Sequence, residues 1–122
     1  MKPPAKSDRK ITYKEHITPM RAMLAERFPK TFMPKGSRQK PPLAIGIDEA
    51  IIERIPDIDV EVLKWALFDY TQGYSYLDGI RIGAFRLDLD GNPVGNILPD
   101  DVTYAGNVIR NRKRREASRK KA

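Results

Sequence analysis

The sequence predicts an α+β domain that is mainly α-helical, with about five helices around a small β-hairpin. Three observations predict this fold class. Apolar residues recur at helical spacing in several segments, residues 84–89 alternate between apolar and polar, and Asp90-Gly91 follows as a typical hairpin turn. The chain has 122 residues, a length that fits one domain.

The first predicted helix begins near Thr18. The Thr18 hydroxyl can cap a helix, and Pro19 is favoured at the first helical position. Pro29 ends the helical pattern. The apolar face of this helix consists of Met20, Met23, Leu24 and Phe28. We expect this face to pack in the core.

A basic loop follows over residues 29–42. It contains four prolines and one glycine, and its cations are Lys30, Lys35, Arg38 and Lys40. Loops of this length in compact domains are often functional. Polar residues are also common in any solvated connection, so both interpretations stay open at this point.

Two further helices are predicted, one over residues 48–55 and one from an Asp59 cap to about Thr71. Gly73 ends the second helix, and residues 74–77 form another turn. The buried positions are expected to be Ile51, Ile52 and Ile55 in the first helix, and Val62 or Leu63, Ala66, Leu67 and Tyr70 in the second.

The alternation over residues 84–89 predicts a strand with two different faces. Phe85, Leu87 and Leu89 form the apolar face, and Arg86 and Asp88 form the polar face. The return strand begins directly after the Asp90-Gly91 turn.

The last predicted helix starts at Pro99, where two acidic residues favour the positive end of the helix dipole. Its apolar stripe is Val102, Ala105 and Ile109. The apolar pattern disappears after Ile109 and a basic run begins. The sequence leaves open whether this run continues the helix or frays.

Charge divides the chain into three parts. Residues 1–14 form a flexible basic arm with five Lys/Arg and one Asp, and residues 110–122 form a basic tail with eight Lys/Arg and one Glu. The domain between them, residues 15–109, holds ten Lys/Arg and fourteen Asp/Glu. Basic ends attract polyanions, and nucleic acid is the usual one.

The composition excludes several kinds of chemistry. The chain has no Cys and one His, and it lacks the glycine-rich motifs that hold nucleotide phosphates. We therefore expect no enzyme activity, no catalytic residue, no metal site and no cofactor. No apolar run is long enough to span a membrane, and the N-terminus is unlike a signal peptide. We expect a cytoplasmic monomer without membrane contact.

Several motifs, in this order and at this spacing, resemble the ProQ/FinO family of RNA chaperones. They are Leu-Ala-Glu-Arg-Phe-Pro at 24–29, Leu-x-Ile-Gly-Ile at 43–47, the Tyr-containing segment 63–77 and Asp-Leu-Asp-Gly-Asn-Pro at 88–93. The resemblance covers about residues 20–105. It implies a concave RNA-binding face and post-transcriptional regulation. The implied partners are structured small RNAs and mRNA 3′ ends, typically a terminator hairpin with a single-stranded 3′ tail.

Candidate RNA-binding residues come from chemistry and from the resemblance. Arg86 can fork onto a phosphate, with Arg81 and Lys64 beside it, and the resemblance favours the same three cations. Tyr70, Tyr74 and Tyr76 offer rings to unstacked bases, and the resemblance favours Tyr76 and also matches Tyr70. The amides of residues 60–62 open a helix and can receive a phosphate. The basic loop adds Lys35, Arg38 and Lys40, and the tail adds Arg112, Arg114 and Arg115.

Each candidate also has a structural alternative. Tyr70 and Tyr76 suit packed positions with satisfied hydroxyls, and Lys64 suits a solvated helix face. Arg86 suits a pair with Asp88 or another carboxylate. The chain departs from better-known members of the family at Ala44, Val60, Phe68 and Ser75, and Asp59 and Glu61 add negative charge. We expect the basic ends and the loop to compensate.

Two other functions are kept open. Helices 48–55 and 59–71 superficially suggest a helix-turn-helix DNA-binding regulator. The second helix, however, begins Val60-Glu61-Val62, without the Arg, Asn or Gln expected at base edges. The other alternative is a protein-interaction module whose basic ends bind an acidic partner.

Overall fold

The computed structural model describes residues 3–121. Met1, Lys2 and Ala122, at the ends of the predicted arm and tail, lie outside the described residues. Within the described chain the fold is mainly helical, with five α-helices and one two-stranded antiparallel sheet. The elements are α1 (Thr18–Arg27), α2 (Ile47–Arg54), α3 (Val60–Thr71), α4 (Tyr74–Asp78), β1 (Phe85–Leu87), β2 (Pro93–Asn96) and α5 (Pro99–Lys121). The predicted fold class is confirmed.

The predicted cap at Thr18 is wrong, because a π-helical turn over Tyr13–Ile17 runs directly into α1. The cap is Thr12, whose hydroxyl accepts the Glu15 N–H at 3.2 Å. Pro19 has no N–H to donate, and its place in the first turn of α1 therefore costs no hydrogen bond within that helix. The helical path therefore begins before the proline.

The next helices follow the sequence signals closely. An Asp59 carboxylate oxygen accepts the Val62 N–H at 3.2 Å, and α3 ends at Thr71, as predicted. In α2, Ile51 is fully buried, whereas Ile52 and Ile55 are only half-buried. Of the three isoleucines that the sequence predicts to be buried in this helix, only Ile51 is fully buried.

The core lies around α3. Its buried face contains Val62, Leu63, Ala66, Leu67, Tyr70 and Thr71. Leu63, Leu67 and Tyr70 belong to one apolar cluster that also contains Leu24, Ile51 and apolar residues of the later elements. Each fully buried Leu or Ile side chain contributes roughly 1.5–3 kcal/mol relative to an exposed one.

The first strand departs from the predicted alternation at two residues, Phe85 and Arg86. Arg86 pairs with Gly95 across the sheet, and the register shifts between Arg86 and Leu87. The Arg86 side chain is largely covered, whereas Phe85 remains 56% exposed. The chain segment at Leu43 bridges β1 in parallel and supplies an acceptor for Arg86. Arg86 is therefore covered and Phe85 exposed, whereas Leu87 is half-buried and Leu89 lies in the core as the apolar face predicts.

The hairpin turn is organised by one carboxylate. Asp88 Oδ1 accepts the N–H groups of both Asp90 and Asn92 at 2.9 Å. Gly91 has φ +82°, which glycine adopts without strain. Asp88 is thus committed to the turn and forms no pair with Arg86 among the described residues.

The basic tail continues α5 as one helix through Lys121. Asp101 near the start of α5 accepts the Leu98 N–H at 2.9 Å, and Ala105 is buried against the domain. The sequence left open whether the basic run continues the helix or frays, and the structure shows that it continues the helix. No helix in the described part of the chain has the length and apolarity needed to cross a membrane.

Candidate nucleic-acid interface

A cleft of about 290 Å³ opens beside α5. Its walls come from the segment Leu43–Asp48, from the junction of α3 and α4, and from the first turns of α5. We call it the α5 cleft. Its polar lining includes Asp48, Gln72, Tyr76, Arg86, Asp101 and Tyr104.

Arg86 lies in the α5 cleft and is oriented by two neighbours. Its Nη1 donates to the Leu43 carbonyl at 2.9 Å, and its Nη2 lies 3.4 Å from Asp101 Oδ1. Arg86 therefore has the carboxylate partner that its structural alternative predicts, and this partner is Asp101 instead of Asp88. A guanidinium has five N–H donors, so this pairing leaves donors for a further acceptor.

Tyr76 and Tyr70 are core residues, 6% and 2% exposed. The Tyr76 hydroxyl accepts the Leu43 N–H at 3.1 Å, and the Tyr70 hydroxyl accepts the Met33 N–H at 3.0 Å. Burial raises the pKa of both hydroxyls. Their ring faces are not open to a base, so the predicted stacking on these rings is wrong here. A direct contact at the edge of Tyr76, which lines the α5 cleft, stays a prediction.

Tyr74 connects the tail to the domain. The Arg112 guanidinium lies 4.2 Å from the Tyr74 ring centroid and also donates to the Gln72 carbonyl. The Tyr74 hydroxyl donates to Glu116 at 3.0 Å. Desolvation, followed by the Glu116 hydrogen bond, raises the pKa of Tyr74. We call this arrangement the Tyr74–Arg112 latch. One face of the Tyr74 ring is thus already covered by a cation.

The start of α2 also lines the α5 cleft, and the sequence analysis did not single it out. Gly46 stands there with φ +79°, and no described side chain caps the helix. Ile47 and Glu49 already donate their N–H groups to the Ala44 and Gly46 carbonyls, which leaves the Asp48 N–H as the first-turn donor for an anion. The Gly46 within the Leu-x-Ile-Gly-Ile motif is the signal that marks this position in the sequence.

The start of α3, by contrast, does not offer its amides in the predicted way. The Asp59 carboxylate caps it, and Arg9 of the N-terminal arm forms two hydrogen bonds to that carboxylate at 2.9 and 2.5 Å. Ser7 donates to Glu61 beside it. The Arg9 hydrogen bond holds the pKa of Asp59 below its usual value. A phosphate would meet a carboxylate here, so this predicted anion site is wrong.

A second depression joins three of the predicted cations. Arg38, Lys40 and Arg81 line a groove of about 410 Å³ with Phe85 and Asp78. Arg81 Nε donates to the Asp78 carbonyl at 2.7 Å. We call this the basic groove; its other lining residues are Gln39, Pro41, Pro42, Ser75, Gly79 and Ala84.

Lys40 is buried, unlike the other cations of the basic loop. Its ammonium lies 5.3 Å from the Tyr70 ring centroid, and burial, with Arg21 nearby, lowers its pKa. Lys35 lines a different depression together with Arg21. Lys64 is exposed on α3 and lines neither the α5 cleft nor the basic groove, which fits a solvated helix face.

The tail cations fall on two sides of α5. Positions seven residues apart share a helical face, so Arg112 and Arg119 continue the side on which Ala105 lines the α5 cleft. Arg115 lies close to that side. Arg114 lies on the opposite side. The helix therefore separates tail residues that the sequence analysis treated together. The described residues contain no cluster of acidic, His or Cys side chains suited to a metal.

A model of the ProQ/FINO family matches residues 15–122. The chain belongs to the ProQ/FINO family. The match includes the α5 cleft, the basic groove and the helical tail. The motifs used for the resemblance all lie within it.

Relatives and solved structures agree with this membership. The chain is 38% identical over 103 residues to the RNA chaperone ProQ of Aliivibrio fischeri strain MJ11, covering 82% of this chain and 49% of the relative. It is 39% identical over 103 residues to the RNA chaperone ProQ of Aliivibrio salmonicida strain LFI1238, covering 82% and 48%. The chain thus spans about half the length of the curated relatives it matches.

Two solved structures share the fold. A ProQ homolog from Legionella pneumophila, solved by NMR, has a TM-score of 0.70 at 28% identity, over 90% of this chain and 93% of that one. A FinO-like RNA chaperone from Neisseria meningitidis MC58 has a TM-score of 0.62 at 20% identity, over 88% and 85%. The second likeness shows the fold alone.

Proposed function

We propose that this chain is an RNA-binding chaperone that acts by binding and not by bond chemistry. Its partners are structured RNAs, namely small RNAs and mRNA 3′ ends with a terminator-type hairpin and a single-stranded tail. It works as a cytoplasmic monomer. Family membership supports this function, as do the Aliivibrio relatives, which are RNA chaperones.

One observation about the site carries the proposal. The uncapped start of α2 and the Arg86 guanidinium line the same cleft. Helix-start amides and a forked guanidinium both bind phosphate oxygens, and their combination suits the last nucleotides of an RNA strand. Asp48 and Asp101 also line the cleft, and their negative charges oppose a phosphate that is held by charge attraction alone. Recognition therefore requires donors at defined positions.

The tail supplies the second part of the mechanism. A-form RNA presents phosphates and 2′-hydroxyls that basic side chains reach without reading base edges. On the cleft side of α5, Arg112, Arg115 and Arg119 follow the cleft along the helix. We assign the duplex part of the hairpin to this side of α5, and the strand end to the α5 cleft.

The structure gives the DNA-binding alternative no observation in its favour. The start of α3 would serve as the recognition end of a helix-turn-helix, yet Asp59 and Glu61 lie there beneath the N-terminal arm. Both carboxylates would repel DNA phosphates. The protein-interaction alternative makes a different prediction, namely that cleft variants leave RNA affinity unchanged.

The test is a binding titration at matched salt. The probes are a hairpin with a 3′ uridine tail, the same hairpin without the tail, and a duplex DNA of equal length. We expect preference for the tailed hairpin, and Arg86→Ala to cost about 1–3 kcal/mol of binding, more than loss of any single tail lysine. Arg86→Lys, which keeps the charge, and an unfolding curve for each variant control for structural damage.

Two results contradict the proposal. Equal, steeply salt-dependent binding to all three probes would mean that the basic ends alone bind polyanions. Wild-type affinity in a folded Arg86→Ala variant would remove Arg86 from the site.

A further inference from the structure

We propose that the basic groove is a separate subsite for single-stranded RNA, in which Phe85 stacks an unpaired base and Arg38 and Arg81 bind the adjoining phosphates. This inference rests on the proposed function for its ligand class. It concerns a different surface, because Phe85, Arg38 and Arg81 line the basic groove and not the α5 cleft.

Phe85 is the first observation. The alternation over residues 84–89 places it on the apolar face of the strand, yet the structure leaves it 56% exposed in the wall of the groove. Single exposed apolar residues are common and need no explanation by themselves. Phe85 differs because the groove around it is basic, whereas the domain as a whole carries an excess of acidic residues.

The cations of the groove are the second observation. Arg38 is exposed and makes no ion pair within the described chain. Arg81 is held through Nε by the Asp78 backbone carbonyl, so its two terminal nitrogens remain for an external acceptor. Asp78 is the one carboxylate among the described lining residues, against the exposed cations Arg38 and Arg81, since the Lys40 ammonium lies at the Tyr70 ring instead. The excess of positive charge selects an anionic ligand.

The shape of the groove favours a single strand. Its volume of about 410 Å³ lies within the range of small-ligand sites and is too small to enclose a duplex. Proteins that bind single strands combine a basic groove with aromatic rings, because every base has a face that stacks. Pro41 and Pro42 give part of the lining a restricted backbone.

The decisive experiment compares Phe85→Ala with a matched control variant on the same β-hairpin of the protein. Val94→Ala removes a side chain that is 55% exposed but does not line the groove. The probe is an unstructured RNA oligonucleotide, titrated at several salt concentrations. We expect Phe85→Ala to weaken binding about 5- to 150-fold, Phe85→Tyr to restore it, and Val94→Ala to leave it unchanged.

The salt dependence separates stacking from phosphate contacts. Stacking releases no counterions, so Phe85→Ala should keep the wild-type salt slope. Arg38→Ala and Arg81→Ala should each reduce the slope by about 0.7, the value for one phosphate on a single strand.

The outcomes distinguish this subsite from the proposed function. If Phe85→Ala binds the oligonucleotide as tightly as Val94→Ala does, the subsite is wrong, whatever the hairpin titration shows. If Phe85→Ala weakens the oligonucleotide although the wild type shows no preference for a tailed hairpin, the subsite stands and end recognition fails. A wild type that binds neither RNA overturns both.

Discussion

The Arg112 guanidinium stacks on the Tyr74 ring at 4.2 Å and fixes the direction of α5 relative to the α5 cleft. The same guanidinium donates to the Gln72 carbonyl, and Gln72 lines that cleft. A helical tail without this latch would still carry its charge. Its cleft-facing side, however, would no longer be held against the junction of α3 and α4.

Arg112→Ala should therefore loosen the tail more than the loss of one charge explains. Cation–π contacts at exposed sites contribute roughly 0.5–1 kcal/mol, so we expect about 2- to 5-fold weaker RNA binding and faster amide exchange over residues 110–120. Arg110→Ala is the control, because the hydrogen bond that Arg110 makes within the described chain goes to Asn107 on its own helix. Equal exchange rates in the two variants would show that the latch does not order the tail.

The two sides of α5 should differ in RNA binding at equal charge. Arg115→Ala with Arg119→Ala removes two charges from the cleft side, and Arg110→Ala with Arg114→Ala removes two from the other side. We expect the first pair to weaken binding to the tailed hairpin several-fold more than the second pair does. Identical affinities and salt slopes would mean that the tail acts as an unoriented charge.

Tyr76→Phe should lower stability without removing a stacking surface. The variant leaves the buried Leu43 N–H without its acceptor, which costs roughly 1–3 kcal/mol of unfolding free energy. Urea denaturation measures this loss. Tyr74→Phe, at a half-exposed position, is the control and should lose much less. If Tyr76→Phe were as stable as the wild type, the hydroxyl would not be a structural acceptor.

The ion pair between Arg54 and Asp90 should make stability depend on acid pH. Arg54 donates to both Asp90 oxygens, at 2.9 and 2.6 Å, and holds the pKa of Asp90 below its usual value. A lowered folded pKa gives stability that is fully present above the unfolded pKa, near about 3.9, and is lost as pH falls through the folded pKa.

Asp90→Asn should thus unfold at a lower urea concentration than the wild type at pH 6, and the difference should shrink below about pH 3. Asn-Gly remains a favourable hairpin turn, so the variant keeps the local backbone. Asp57→Asn, at an exposed carboxylate with no described partner, is the control for charge alone. A difference that stays constant with pH would contradict the role of this pair.

The sequence predicted those features that depend on neighbours along the chain. Asp59 as a cap, the end of α3 at Thr71 and the Asp90-Gly91 turn follow from local hydrogen bonding. The cap at Thr18 failed because Thr12 supplies an earlier one before the π-helical turn.

The site was harder to predict, because distant partners decide which side chains are covered. Arg86 is drawn inward by the Leu43 carbonyl and by Asp101, and Phe85 consequently faces solvent. The position of Tyr76 in the sequence does not reveal whether its hydroxyl faces solvent or accepts the Leu43 N–H, as it does in the structure. Such choices depend on packing between elements and leave no periodic signal in the sequence.

The length of α5 predicts that association and dissociation of RNA depend on different parts of the protein. Residues 110–121 extend about 18 Å along the helix axis, more than two screening lengths at physiological salt. Under the proposed function, we expect the far end to attract RNA beyond the reach of the acidic domain and to set the rate of encounter. We expect the α5 cleft, whose donors are few and fixed, to set how long the RNA stays bound. Ionic strength should thus change arrival far more than departure.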